Sequence, residues 1–597
     1  MKSLRCFLFV FLAIAARAQP VAGFDAWVES FAYAWVKDEP MTATRVQYLT
    51  PADQDANDRL LAGPQGFFPV DASARAARVA LANRGLQELR RWPRAELTPV
   101  QRVSADSLAW KLRNTLQADT SAASLYTFHQ MGGSVQVSLV NFLTQTHPIR
   151  NARDVENYLA RIEQVAPILD RAIAEAKARA ARGIVPPRFI LTSTLAALER
   201  FLAPPPGENV FVRSLAERVA PLKDFSEAQR TAALATAQKL TTEAIRPAFV
   251  RIRDLLAEQA KTATNDAGLW KLPNGDKLYA AQLAAFTSTS LSADEIHAIG
   301  LRKVTEIEAE MDTILRQLGY TDGAVKDRYL KLNATLIPPA EPDPRPGIVA
   351  EYARLVKEAE RRAPASFDLM PKAPVEVRRE PAFTDATAAA HYTAPAPDGS
   401  KPGIFYIPLA NLSPDILWLG ASMKTIAYHE AVPGHHYQLT LQQESSELPR
   451  FRKRGALGGV TAFIEGWGLY SERLADEAGW YEGDPQGRLG YLQAQLFRAR
   501  RLVVDTGLHA RHWTRQQAID YGIQPSEVDR YVVTPGQACA YMIGQLRIME
   551  LREKARTALG AKFSLKEYHN VLLRTGDVPL DVLTQVVDDW ISRPGGK

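Results

Sequence analysis

The chain has 597 residues, 46% hydrophobic and 23% charged, ordinary globular proportions that exclude a disordered chain, a collagen-like fibre and a polytopic membrane protein. Its formal charge is +6, falling to +3 once Lys2, Arg5 and Arg17 are set aside with the leader described next. So small a balance on so long a chain does not point to nucleic acid as the partner.

Lys2 and Arg5 precede an apolar run of eleven residues, Cys6 to Ala16, too short to span a bilayer comfortably. Ala16 and Ala18 then place small residues where a signal peptidase reads. The pattern predicts a secretory signal over 1–18, cleaved after Ala18, with an uncleaved anchor as the alternative. The mature protein is then exported, periplasmic or extracellular, and soluble, since no later segment reaches the ~18 consecutive apolar residues of a membrane span. Only Cys539 survives cleavage, which excludes an intramolecular disulfide and a cysteine-based metal site.

Helical periodicity then dominates. Val155, Tyr158, Leu159, Ile162, Val165, Ala166, Leu169 and Ile173 recur at spacings of three and four and predict one face of an amphipathic helix. Similar stripes cover 75–92, 225–262, 293–318 and 540–558. The proline-rich stretch from Ile337 to Pro346, Ala203–Gly207 and Ala394–Gly403 read as connections. Gly403 to Pro408 is the best strand candidate, a short apolar and aromatic run fenced by Gly and Pro. The fold class is therefore mainly α with a small β element.

The segment Tyr428-His429-Glu430-Ala431-Val432-Pro433-Gly434-His435-His436 opens like the His-Glu-x-x-His zinc helix, in which two histidines one turn apart aim at one metal and the Glu handles the proton of a bound water. Pro433 occupies the place of the second His. In a regular helix His435 would lie ~9 Å along the axis on another face, and His436 on the face of His429 but ~10.5 Å away. Ligands with bonds of ~2 Å could not share one ion at that separation. Pro433 breaks the helix and Gly434 permits the unusual backbone angles a break demands. A loop there can return a later His to His429. Deleting the dipeptide restores His-Glu-Ala-Val-His, which favours His435 as the second ligand and keeps His436 as the competitor.

Glu465 lies thirty residues beyond His435 on a stretch of helical spacing, in an uncharged, Trp-containing neighbourhood. It is the expected third ligand, as Glu465-Gly466-Trp467 looks like the glutamate-bearing text of the aminopeptidase N family. Glu472, seven residues on and on the same helix face, is the competitor for that place, and is expected instead to hold a ligand His by its other nitrogen. The alternative for the whole set is a surface His cluster with incidental acids.

These motifs carry a resemblance. With Val504 to His509, Thr534 to Ala538 and Gly183 to Pro187, the chain resembles, along nearly its whole mature length, a bacterial family known as domain of unknown function 885. The resemblance implies a helical, two-lobed zincin-type peptidase, distantly similar to neurolysin-like oligopeptidases, with residues 19–280 as one helical lobe and 281–597 as the catalytic lobe. In such enzymes the lobes wall a deep channel that admits short peptides. Tyr541 sits in a stretch similar to the one that supplies their transition-state Tyr. His509, at i+4 from Asp505, and Tyr531 are further candidates to stabilise an oxyanion, and Arg547 to bind a substrate carboxylate. An edge strand at Gly403–Pro408 would pair with an extended substrate, turning Phe405 or Tyr406 to the cleft.

The expected function is thus an exported Zn2+ peptidase acting on short peptides, with Glu430, Tyr541 and His509 in the chemistry and His429, His435 and Glu465 on the metal. The alternatives are a non-hydrolytic peptide- or metal-binding protein and a metallohydrolase of esters or non-peptide amides.

Overall fold

The computed structural model describes residues 23–593 except 123–124, 382–384, 387, 397–398 and 400. The leader expected over 1–18 and part of the 394–403 connection lie outside the described residues. The chain is mainly helical, with 67% of it in helix and one three-stranded sheet among the described residues.

Helix α1 (Pro99–Ala122) is followed by α2 (Ala152–Ala180), where Val155, Tyr158, Ile162, Val165, Leu169 and Ile173 are buried as their spacing predicts. The Asn151 side chain caps α2 by accepting from the Asp154 amide at 3.0 Å. The stripe over 225–262 forms two helices, Glu227–Leu240 and Arg246–Thr262, joined by a π turn at Thr241–Ile245. Pro247 has no amide to donate, so a regular ladder cannot run through this point. Then come α3 (Gly275–Thr287) and α4 (Ala293–Gln317), the latter opened by a reciprocal capping box between Ser292 and Glu295.

Strands β1 (Val375–Arg379), β2 (His391–Thr393) and β3 (Gly403–Ile407) pair in the order β1-β3-β2, with β1 parallel and β2 antiparallel to β3. The expected strand at 403 exists but is central. Both of its edges are taken, so β3 cannot pair with a substrate backbone, and Phe405 is buried edge-on against Tyr352 rather than turned to a cleft. Tyr406 is half-buried and stacks on His391.

After the sheet come α5 (Met423–Glu430), α6 (His435–Glu444), α7 (Thr461–Glu477), α8 (Pro485–Ala510) and α9 (Ala540–Leu559). The largest hydrophobic cluster includes Ile426, Tyr428, Trp467, Leu496 and Ile543, one or more from α5, α7, α8 and α9. Each large side chain so buried contributes about 1.5–3 kcal/mol, which fixes these helices against one another. A second cluster runs from Leu61 to Ala263, and a third joins 24–112 to Phe451 and Ala456. Residue 280, the expected boundary, lies within α3, whose Leu278, Tyr279 and Leu283 belong to the largest cluster, as do Leu269 and, earlier in the chain, Ile184. Helices α7 and α9 cross at Gly466 and Gly544, where a β carbon on Gly466 would lie 2.5 Å from the Gly544 carbonyl carbon. That close crossing brings the neighbourhoods of Glu465 and Tyr541 together.

Candidate metal centre

The break between α5 and α6 builds the site. The Ala431 amide still donates to the Ala427 carbonyl at 2.9 Å, but its backbone then leaves the helix at φ −112, ψ −95. The freed Pro433 carbonyl accepts from Trp467 Nε1 at 2.9 Å and Ser471 Oγ at 3.2 Å, so α7 holds the break in place. Gly434 has φ −78, not a left-handed angle. Glycine is needed there because the chain passes the His429 carbonyl so closely that a β carbon would lie 1.8 Å from its oxygen. Helix α6 then begins at His435, and the rings of His429 and His435 meet edge-on with centroids 4.7 Å apart.

His436 turns elsewhere. Its Nδ1 meets the Tyr392 hydroxyl of β2 at 2.9 Å and Thr440 Oγ1 at 3.2 Å, and burial pushes its pKa down to about 4. His435 therefore joins His429, and His436 does not.

Glu465 Oε2 lies 3.7 Å from His429 Nε2 and 3.4 Å from His435 Nε2. These separations exceed a normal hydrogen bond. They match instead the ~3.3 Å between neighbouring ligand atoms on a tetrahedral ion with bonds of ~2.0 Å. Two imidazoles and one carboxylate are a donor set that zinc takes, so the residues fit such an ion. A Glu430 carboxylate oxygen also lies within 4.8 Å of the His429 and His435 nitrogens. Glu430 is buried, and its carboxylate accepts no hydrogen bond from the described residues.

His429 is oriented by a partner on each side. Its Nδ1 donates to Glu472 Oε1 at 2.8 Å, which leaves the lone pair on Nε2, towards Glu465. Glu472 is fully buried and also accepts from Gln495 Nε2 of α8 at 2.9 Å. Gly468 lets the ring lie flat on α7, since a β carbon there would be 2.7 Å from His429 Cε1. Burial opposes charge on His429, but Glu465, Glu472 and Glu430 outweigh it and raise its pKa to about 9. Burial would likewise raise Glu465, and the two histidines hold it well below the usual carboxylate range instead. Without a metal, the cluster therefore keeps a proton. Among the described residues His435 has no comparable second partner, as its Nδ1 is buried without a hydrogen bond.

Tyr541 stands beside this group. Burial and then the charge of Glu465 raise its pKa, so its hydroxyl stays protonated and able to donate. The Arg501 guanidinium lies over its ring, 4.6 Å from the centroid.

The expectation for His509 is corrected. It is fully buried; its Nδ1 accepts from the Leu269 amide at 3.1 Å and its Nε2 donates to the Tyr531 carbonyl at 3.0 Å. Neither nitrogen is left for a substrate. Asp505 does not charge it either, since Asp505 accepts from the Tyr279 hydroxyl at 2.7 Å and the Gly536 amide at 3.0 Å. Tyr531 is fully buried, with its hydroxyl tied to Glu527 and Arg501, so it is not a free donor. Arg547 faces Glu550 of its own helix at 3.5 Å. Gln495 and Tyr392 were not legible as parts of the site, because each reaches it from an element distant in sequence. Gly468 stands in the Glu-Gly-Trp-Gly text, where a second glycine in a helix was the available signal.

Over residues 68–587 the chain matches the family described as bacterial protein of unknown function (DUF885). The chain belongs to that family. A comparison with curated proteins gave no match. The DUF885 chain is similar to a crystal structure described as a candidate lipoprotein from Colwellia psychrerythraea, with a TM-score of 0.85 and 28% identity, covering 96% of this chain and 100% of that one. It is also similar to a candidate lipoprotein of unknown function from Shewanella oneidensis, with a TM-score of 0.70 and 20% identity over 95% and 99% of the two chains. That second likeness shows the fold. No described helix is long and apolar enough to cross a membrane.

Proposed function

We propose that the protein is an exported zinc-dependent peptidase of zincin type that hydrolyses short peptides. The observation that carries this reading is the convergence of His429 Nε2, His435 Nε2 and Glu465 Oε2, with the Glu430 carboxylate alongside and accepting no hydrogen bond from the described residues. His429, His435 and Glu465 would hold a zinc ion, which when bound would supply Lewis acidity at the reacting water and carbonyl. Glu430 takes the proton of the attacking water and returns it to the leaving amine. Tyr541 donates to the oxygen that becomes negative as the carbonyl turns tetrahedral. Glu472 keeps the His429 proton on Nδ1, so that Nε2 remains a ligand. The helical bulk around the site favours short peptides over folded proteins, by analogy with the neurolysin-like enzymes.

The test is a digest of a mixed peptide library by zinc-loaded wild type and Glu430→Gln, with zinc content measured for both. The proposal expects cleavage by the wild type and a loss of at least about a hundredfold in Glu430→Gln, with zinc retained. Turnover unchanged by the substitution, or no turnover by a fully loaded wild type, overturns it. Faster hydrolysis of aryl esters than of any peptide would select the esterase alternative.

A further inference from the structure

A cavity of about 340 Å3 opens between α1, α3 and the start of α7, lined by Trp110, Lys111, Asn114, Gln282, Phe286 and Thr461 among others. Two elements that carry site residues border it. Thr461 precedes Glu465 by one helical turn, so both stand on the same face of α7. Across from it, the backbone at Gln282 touches Gly536, and Gln537 of the same turn bonds the Tyr541 side chain. The cavity therefore lies within one helical turn of Glu465 and close to the turn that carries Gln537, the partner of Tyr541.

Its chemistry is one-sided. Among the described residues no Asp or Glu lines it, and Lys111 is the one cation that does. Lys111 donates to the Gly458 carbonyl and has no carboxylate within 4 Å among the described residues. Asp577 attracts it from farther away, Arg452 opposes it, and burial pushes its pKa below the ordinary value. An ammonium has three donors, and two remain after Gly458. The other polar groups are amides and hydroxyls, and the walls are otherwise apolar. A peptide amino terminus would meet a like charge here, while the nearby Asp577 carboxylate, behind the wall at Gly459, is already engaged by the Val460 amide and Gln442. A carboxylate would meet a cation and several uncharged donors.

We infer that this cavity receives the carboxyl end of a short peptide, with Lys111 holding the α-carboxylate and Trp110 and Phe286 flanking the terminal side chain. Thr461 is ~6 Å along the helix from Glu465, so a peptide whose carbonyl lies at the metal would reach this cavity with its carboxyl end. The inference rests on the peptidase reading, since it names which end of the substrate that same cleft holds.

The experiment is calorimetric titration of full-length Glu430→Gln, in which turnover does not consume the probe, with N-acetyl-Ala-Phe and with its C-terminal amide. The acid should bind at least about tenfold tighter than the amide, one charge-assisted contact. Lys111→Gln should remove the difference and Lys111→Arg should retain most of it, with circular dichroism reporting whether the Gly458 loop tolerates each change. Equal binding of acid and amide, binding of neither, or a difference that survives Lys111→Gln overturns the inference. The acid-to-amide ratio in the Lys111-containing protein decides even if Lys111→Gln does not fold. Discrimination without any wild-type peptide hydrolysis would sink the peptidase reading and leave the carboxylate site standing. Hydrolysis without discrimination would sink the site alone.

Discussion

Gly468→Ala tests whether α7 sets the position of the His429 ring. The new β carbon would stand 2.7 Å from Cε1, 2.9 Å from Nε2 and 3.0 Å from Nδ1 of His429, against an ordinary contact of 3.4 Å or more. The ring must therefore retreat by about 0.7 Å, and its 2.8 Å bond to Glu472 resists that movement. Metal–ligand distances tolerate only about 0.2 Å. Zinc affinity should fall by about tenfold to a hundredfold, the range seen when an orienting partner is lost, or ~1.4–2.8 kcal/mol. Stability should change less. Alanine improves helix propensity by about 1 kcal/mol, while overpacking costs about 1–3 kcal/mol. The assay is zinc titration against a competing chelator, beside thermal unfolding of the metal-free protein. A variant that binds zinc like the wild type would refute the packing of His429 on α7.

Other expectations concern the same group. Glu472→Gln should weaken zinc by about tenfold to a hundredfold, because a neutral amide no longer fixes the Nδ1 proton, and chelator competition reads this directly. His435→Ala should strip zinc while His436→Ala largely spares it, as metal analysis of the two variants will show, since His436 is tied to Tyr392 and Thr440. In the metal-free protein the pKa of His429 is raised from 6.5 to about 9, so its stabilising charge is fully present below pH 6.5 and is lost as pH rises through about 9. Zinc must displace that proton, so apparent affinity should climb across the same window and binding at pH 7 should release about one proton from the site, measurable by calorimetry in buffers of different ionisation enthalpy.

Much of this site was legible because its chemistry is local. The Pro433-Gly434 interruption predicts a returning chain, and deletion of the dipeptide names His435; the structure places that ring against His429 and turns His436 to Tyr392. Glu472 was legible as the partner of His429 because i+7 on a helix shares the face of Glu465. The helices at 152–180 and 293–317 followed from apolar spacing, which burial on one face dictates. Non-local pairings were not legible. Asp505 and His509 have the spacing of a helix pair, yet each finds a stronger buried partner in another segment, Tyr279 and Leu269 respectively. The strand at 403 was recognised by composition, but its central place depends on β1 and β2. β2 is three residues long and β1 alternates only over Val375 to Arg378, too briefly to stand out as strands.

The claim on which the account rests is that one zinc ion is bound where His429, His435 and Glu465 converge. Anomalous diffraction from crystals of the zinc-loaded protein, recorded on both sides of the zinc absorption edge, tests it directly. The account predicts a single strong peak about 2.0–2.2 Å from His429 Nε2, His435 Nε2 and a Glu465 oxygen, with the Glu430 carboxylate outside bonding distance. A peak elsewhere, a peak ligated by His436 in place of His435, or no peak from protein crystallised with excess zinc would contradict it.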